Sequence, residues 1–224
     1  MFARFDRMAK TFTRIGKEIS IAVRQGGPNP EYNPKLRMAI QNAKGANMPK
    51  DRVEAAIKRA SSREEKDYQE VVYEGYAPHG VPVVVECATD NPTRTVANIR
   101  LHFSKNGGSM GNSGSVLFMF ERKGVFKFDA DRLNLDELEL DLIDAGAEDI
   151  ERNEDEIVIY TKFAEFGPMQ KFLESRELEA KSAELQYIPN VTKDLSEAEQ
   201  DEVLKLIDAL EGDDDVQNVY HNLA

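Results

Sequence analysis

The spacing of apolar residues predicts a helical beginning to the chain. Residues 8–24 carry an apolar stripe at the spacing of one helix face, formed by Met8, Phe12, Ile15, Ile19 and Val23. Gly26-Gly27-Pro28 predicts the end of this helix. A second helix is predicted to start with Asn33 as N-cap and Pro34 in its first turn, and a third near Pro49. Their expected buried positions are Leu36, Ala39, Ile40, Ala43, Val53, Ala56 and Ile57.

From Tyr68 the pattern changes to strands that alternate with helices. Val71–Tyr76 and Val81–Ala88 are β-rich and are separated by a turn sequence. Pro92 opens a predicted helix that Asn106-Gly107-Gly108 ends. The glycine-rich loop Gly107–Gly114 and a predicted strand, Ser115–Phe120, follow.

Residues 124–188 carry a second pattern, β-α-β-β-α-β, which is typical of the ferredoxin-like arrangement. The predicted elements are the strand Val125–Phe128, the helix Leu135–Ala145, the strands Glu148–Glu151 and Ile157–Thr161, the helix Phe166–Ser175 and the strand Lys181–Ile188.

The last predicted elements are a helix, Ser196–Leu210, which opens with a capping box, and a strand, Val216–Asn222. They need a sheet to join, and the strands of residues 68–120 are the expected partner. The fold class expected is therefore α+β with three domains. These are a basic helical domain (1–63), a central domain (67–121 with 190–224) and an inserted ferredoxin-like domain (122–189), with Ser61–Lys66 as a polar hinge.

Charge is divided unevenly along the chain. The first sixty residues hold 13 Lys/Arg and five Asp/Glu, a net charge of +8. The other 164 residues hold 16 Lys/Arg and 36 Asp/Glu, a net charge of −20, which gives −12 in total. A cationic segment on an anionic chain indicates a polyanionic partner for that segment, and nucleic acid is the expected one.

The first helix places five cations, Arg7, Lys10, Arg14, Lys17 and Arg24, opposite its apolar stripe. A solvated helix surface is the alternative interpretation, but like charges at this spacing destabilise a helix unless something neutralises them. No recognition helix with base-reading side chains is evident, so phosphate-led binding of DNA or RNA is favoured. The residues predicted to bind nucleic acid are Lys10, Arg14, Lys17, Arg24, Lys35, Arg37, Lys50, Arg94, Arg100 and Lys105.

The sequence predicts no enzyme, metal or cofactor. The glycine-rich loop lacks the Gly-Lys-Ser/Thr ending of a P-loop; it is either a return to the sheet or a close contact for a nucleic-acid backbone. Cys87 follows a run of valines and is expected to be a buried thiol, and His79, His102 and His221 are scattered. The acidic helix Leu135–Ala145 is expected to be solvated.

No membrane span or signal peptide is evident, so a cytoplasmic protein without a small-molecule substrate is expected.

Several segments together resemble the YebC/PmpR family, which is related to the mitochondrial cytochrome oxidase translational activator. The segments that carry the resemblance are Asn33–Arg37, Asn47–Asp51, Ala56–Arg59, Tyr73–Tyr76, Glu86–Asn91 with Arg94-Thr95, Phe103–Gly108, Gly114–Val116 and Asp214–Asn222. The resemblance implies a cytoplasmic protein of three domains, without enzymatic activity or cofactor. It implies either DNA-binding transcriptional regulation or translation at the ribosome.

The chain departs from the family at its start. Family members open with a basic arm containing Gly-His-Ser-Lys-Trp, whereas this chain has no tryptophan and begins almost at the predicted helix. Either a shortened start or a divergent branch accounts for this, and contacts of that arm are not transferred.

Four functions are therefore considered. A DNA-binding transcriptional regulator is favoured by the resemblance, whereas an RNA-binding or ribosome-associated translation factor fits the weak base-reading chemistry. An enzyme and an assembly module that binds no nucleic acid are the other two. The oligomeric state is not predicted.

Overall fold

The computed structural model describes residues 2–62 and 67–224, and the side chains from residue 8 onward. Residues 63–66 of the predicted hinge and the side chains of Arg4 and Arg7 lie outside this description. The helices are α1 Phe2–Gly26, α2 Pro34–Gly45, α3 Lys50–Ala60, α4 Pro92–Lys105, α5 Leu135–Asp144, α6 Phe166–Ser175 and α7 Glu197–Glu211. The strands are β1 Gln69–Ala77, β2 Val81–Thr89, β3 Ser109–Met110, β4 Phe120–Asp129, β5 Ala147–Arg152, β6 Glu156–Lys162, β7 Ser182–Pro189 and β8 Val216–His221.

Helices α1, α2 and α3 form a small bundle, which we call the head. Its buried apolar residues include Ile15, Ile19, Leu36, Ala43 and Val53, as the apolar stripes predict. Asn33 is the N-cap of α2, and its side chain accepts a hydrogen bond from the backbone N–H of Leu36. Helix α1 begins at Phe2, so it extends further toward the N-terminus than the apolar stripe predicts.

The central sheet has the antiparallel strand order β3-β1-β2-β8. The last strand pairs with β2, from Val83 opposite His221 to Cys87 opposite Val216, so the end of the chain completes the sheet as expected. Helices α4 and α7 cover one face and contribute the fully buried side chains Phe103 and Leu206 to its core.

The second sheet has the order β5-β6-β4-β7, with all neighbouring strands antiparallel. This is the ferredoxin-like order, in which each helix connects two strands that are separated by a third. Helices α5 and α6 pack over Phe126, Ile157 and Ile159. The α+β class with a helical head and two sheet-containing units is confirmed, while the domain limits given above stay predictions.

The predicted strand Ser115–Phe120 is wrong. Residues Leu117–Met119 form a short 3₁₀ turn, and β4 begins only at Phe120. The buried carboxylate of Glu74 accepts the backbone N–H groups of Val116 and Leu117 at 2.8 and 2.9 Å, so these donors are not available to a sheet. A two-residue strand, Ser109–Met110, pairs with β1 instead.

The head docks on the second sheet through α2. The Asn42 side chain donates to the carbonyl of Ala183 at 3.1 Å and accepts its N–H at 2.9 Å, so it caps the edge of β7. Gly45 is needed at this contact because a Cβ there would overlap the carbonyl oxygen of Lys181. The sequence did not reveal this docking, since only the folded chain brings α2 to β7.

Candidate nucleic-acid interface

Lys17 does not face solvent, which corrects the predicted cationic face of α1. It is 8% exposed, and its ammonium donates to the carbonyl oxygens of Ala88 at 2.8 Å and Asp214 at 2.6 Å. Its Nζ also lies 3.2 Å from Asp215 Oδ1 and 5.3 Å from the centre of the Tyr68 ring. An ammonium with these partners joins α1 to the central sheet and is not available to a phosphate.

Asp215 collects further donors from the start of α4. Arg94 Nη2 lies 2.7 Å and Thr95 Oγ1 2.8 Å from Asp215 Oδ2. Burial opposes ionisation of Asp215, but the hydrogen bonds from Arg94 and Thr95 and the charge of Lys17 outweigh it and lower its pKa. Arg94 also contacts Asp90 at 2.9 Å. Two residues predicted to bind nucleic acid, Lys17 and Arg94, therefore meet at one carboxylate.

Two more cations of α1 are bound within the molecule. Arg14 Nη2 donates to the carbonyl of Glu211 at 3.2 Å, at the C-terminal end of α7, where the helix dipole favours a cation. Arg24 donates to the carbonyl of Ser62 at 3.0 Å and lies 3.1 Å from Asp67. On α1, Lys17 and Arg24 are thus paired with carboxylates, while Arg14 is held by a backbone carbonyl.

Helix α2 offers partly engaged cations. Arg37 lies 3.4 Å from Glu174 on α6, which ties the head to the second sheet's helix layer. Lys35 is exposed, and its ammonium donates to the side-chain oxygen of Gln25 at 2.7 Å. Lys35 makes no ion pair with a carboxylate in the described part of the chain.

The remaining predicted residues face solvent. Lys10, Arg100 and Lys105 are exposed and make no ion pair with any carboxylate that the structure describes. Lys50 is exposed and lies 3.7 Å from Glu54, a weak surface pair one helical turn away.

Helix α3 contributes three exposed cations that are not among the predicted binding residues: Arg52, Lys58 and Arg59. The guanidinium of Arg52 lies 5.6 Å from the centre of the Phe12 ring, where α3 meets α1. The sequence could have identified them, because the apolar residues of α3 occupy one helix face and these three positions lie outside that face. We call the exposed cations Lys10, Lys50, Arg52, Lys58 and Arg59 the basic head surface.

The glycine-rich loop is held in place by hydrogen bonds to a buried carboxylate. Glu74 is 3% exposed, and its carboxylate accepts the N–H groups of Gly114, Val116 and Leu117. Burial opposes ionisation of Glu74, yet these three bonds outweigh it and lower its pKa. Gly108 is required by packing, because a Cβ there would lie 2.6 Å from the carbonyl oxygen of Tyr76. These three N–H groups are therefore not available to bind a phosphate.

No catalytic or metal-binding arrangement emerges from the described part of the chain. Cys87 is buried, and burial together with nearby carboxylates raises the pKa of its thiol to about 12. No group of three or more His, Cys, Asp or Glu residues with metal-binding geometry occurs among the described residues. No described helix is both long and apolar enough to cross a bilayer.

Comparison with known families matches almost the whole chain. Residues 1–63 match the model described as the TACO1/YebC protein N-terminal domain, and residues 68–223 match the TACO1/YebC second and third domain.

Individual relatives also match this chain over nearly its whole length. A probable transcriptional regulatory protein of Anaeromyxobacter dehalogenans is 56% identical, covering 100% of this chain and 95% of the relative. One of Cytophaga hutchinsonii is 57% identical, covering 99% of this chain and 93% of the relative. A crystal structure of a conserved hypothetical protein from Aquifex aeolicus has a TM-score of 0.84 and 42% identity, covering 96% of this chain and 90% of that one.

Proposed function

The chain belongs to the TACO1/YebC family, and from that premise we propose that it binds nucleic acid through the basic head surface. It is a regulator of the YebC type and not an enzyme, as the family and the names of its relatives show. DNA binding in transcriptional regulation is the proposed activity, in line with those names. A cytoplasmic location is part of this proposal.

The observation that carries the proposal is the set of exposed cations that form the basic head surface, of which only Lys50 pairs with a carboxylate that the structure describes. The rest of the molecule is strongly acidic and would be repelled by a polyanion. Arg52, Lys58 and Arg59 lie outward on one short helix, so several phosphates along one backbone can be contacted together. Release of condensed counterions would then supply most of the binding free energy.

Helices α2 and α3 do not present the side chains that commonly read base edges. The two amide side chains of α2, Gln41 and Asn42, donate to the carbonyls of Ala180 and Ala183 and hold the head on the second sheet. Helix α3 contains no Asn or Gln. Neither helix offers the free amides that commonly recognise adenine in a major groove. This supports binding that is led by phosphates and by the shape of the nucleic acid.

The engaged amides favour a second candidate function, binding of RNA or of the ribosome in translation. Structured RNA is recognised mainly by shape, by its backbone and by its unpaired bases, and it needs no helix in a major groove. Both functions use the basic head surface, and they differ in the nucleic acid that is bound in the cell.

Crosslinking in cells, followed by sequencing of the DNA and RNA recovered with the protein, tests the proposal. Enrichment of promoter DNA supports transcriptional regulation, and enrichment of ribosomal or messenger RNA supports the second function. Recovery of neither above the level of an uncrosslinked control would overturn both.

A further inference from the structure

Tyr32 is the most exposed large hydrophobic side chain in the part of the chain that the structure describes. It is 81% exposed, more than Leu140 at 76% or Val191 at 74%. No hydrogen bond to its hydroxyl and no ring contact joins it to the described residues. The tyrosine therefore contributes little to the folding of the head, and its ring is accessible to a partner.

The loop that carries Tyr32 is fixed by Asn33. The Asn33 side-chain amide donates to the carbonyls of Ala22 at 2.8 Å and Gly27 at 2.9 Å. Its oxygen accepts the N–H of Leu36 at 3.1 Å. Asn33 is 3% exposed, so these bonds tie the loop to α1 and α2 from its buried side.

A second brace acts on the outer side of the loop. Arg37 Nη1 donates to the carbonyls of Pro30 at 2.9 Å and Glu31 at 3.1 Å. The N–H of Tyr32 donates to the carbonyl of Asn29 at 3.2 Å. Pro28 adds stiffness, since its ring fixes φ. The backbone at Tyr32 is thus ordered before any partner arrives, and little conformational entropy is lost on binding.

Two exposed charged residues lie close to Tyr32 in sequence, the carboxylate of Glu31 and the ammonium of Lys35. Lys35 lies three residues after Tyr32, at the start of α2, and its ammonium donates to the neutral side chain of Gln25. An aromatic ring stacks on the face of any unpaired base, and a cation beside it contacts the adjacent phosphate. Bases inside a duplex present only their edges in the grooves, so their faces cannot stack on a tyrosine ring. An aromatic ring beside a cation therefore favours an unpaired base.

We propose that Tyr32 stacks on an unpaired nucleobase while Lys35 contacts a neighbouring phosphate. The partner is a single-stranded segment of RNA or DNA. The inference rests on the proposed function, because it adds a base contact to the phosphate contacts of the basic head surface. It goes beyond that function by adding an unpaired base as a contact of the head.

The test uses the full chain and a short oligonucleotide containing 2-aminopurine, whose fluorescence is quenched on stacking. The oligonucleotide is prepared as single-stranded RNA, as single-stranded DNA and as a DNA duplex. Tyr32→Ala should weaken binding to one or both single strands roughly tenfold and abolish the quenching. It should leave duplex affinity unchanged. The two single-stranded arms distinguish RNA from DNA.

Two controls accompany this experiment. Tyr32→Phe retains the ring and should behave as the wild type. Leu140→Ala removes another exposed apolar side chain, far from the head in sequence, and should have no effect. Because Tyr32 is exposed, its substitution leaves the fold intact, which a thermal melt confirms.

The outcomes separate this inference from the proposed function. If Lys58→Glu/Arg59→Glu weakens binding while Tyr32→Ala changes neither affinity nor quenching, stacking at Tyr32 is refuted and the proposed function stands. An equal loss for single strands and duplex refutes the selection of an unpaired base. If the wild type binds none of the three nucleic acids, both proposals are overturned.

Discussion

Lys17 Nζ on the first helix lies 3.2 Å from Asp215 Oδ1, just before the last strand of the central sheet. The contact joins residues 198 positions apart and lies between the basic first sixty residues and the acidic remainder of the chain. Part of the positive charge of the head is therefore used inside the molecule, to hold the head on its acidic body. Only the cations that point away from this junction are available to a partner.

Replacement of Lys17 by methionine should destabilise the protein by about 3 kcal/mol. The change keeps most of the aliphatic stem but leaves the carbonyls of Ala88 and Asp214 without this donor. Arg14→Met is the matched control, because Arg14 is more exposed and makes a single bond to a carbonyl; it should cost less than about 1 kcal/mol. Denaturant unfolding measures both. Equal, small losses would show that the buried ammonium is not a structural contact.

Glu18 predicts a pH dependence of stability. Burial, then the negative charges of Glu184, Glu86 and Glu70, raise its pKa to about 8 against the opposing effect of Arg14. The folded state therefore binds more protons than the unfolded state between pH 4.5 and about 8, and stability falls as pH rises through this window.

Glu18→Gln removes the ionisable group and should remove this dependence. The variant should match the wild type at and below pH 4.5 and exceed its stability by on the order of 4 kcal/mol near pH 8. Thermal melts across this range measure the difference. Parallel pH profiles for the two proteins would contradict the raised pKa.

The hydrogen bonds that the Glu74 carboxylate accepts should determine the stability of the glycine-rich loop. Glu74→Gln should destabilise the loop by roughly 1–3 kcal/mol, because an amide accepts fewer of the three N–H bonds. Amide hydrogen exchange at Val116 and Leu117 should accelerate, while exchange in the second sheet stays unchanged. In the wild type the same contribution is lost as pH falls through the lowered pKa of Glu74, below 4.5. Unaltered exchange would mean that the loop holds its shape without the carboxylate.

Gly45→Ala tests the docking of α2 on β7. The added methyl group would overlap the Lys181 carbonyl, so the helix must move away from the strand, with an expected cost of about 2 kcal/mol. Gly16→Ala is the control, because nothing lies within 4 Å of a Cβ there; within α1 it should stabilise by about 0.5–1 kcal/mol. Similar effects of the two changes, measured by thermal unfolding, would argue against a close contact at Gly45.

Much of the fold could be predicted from the sequence. The N-cap Asn33, the capping box at Ser196 and the apolar spacing of each helix locate the elements, since these signals act within a few residues. The partner of a polar side chain depends on the tertiary fold, so Lys17 and Lys10 looked alike on α1 although one is buried and the other exposed. The strand expected at Ser115–Phe120 failed for the same reason, because Glu74 on a distant strand takes its donors.

Charge reversal on α3 tests most directly the central claim that the basic head surface binds nucleic acid. Lys58→Glu/Arg59→Glu is compared with Lys171→Glu/Lys205→Glu, which changes the net charge equally at exposed lysines of the acidic body. Fluorescence anisotropy with RNA and duplex DNA is measured as a function of salt concentration. The head variant should bind more weakly, with a salt dependence on duplex DNA shallower by about 1.8 in log–log slope if both residues contact phosphates. The body variant should keep the wild-type slope. Equal losses in the two variants, or a wild type that binds neither nucleic acid, would contradict the claim.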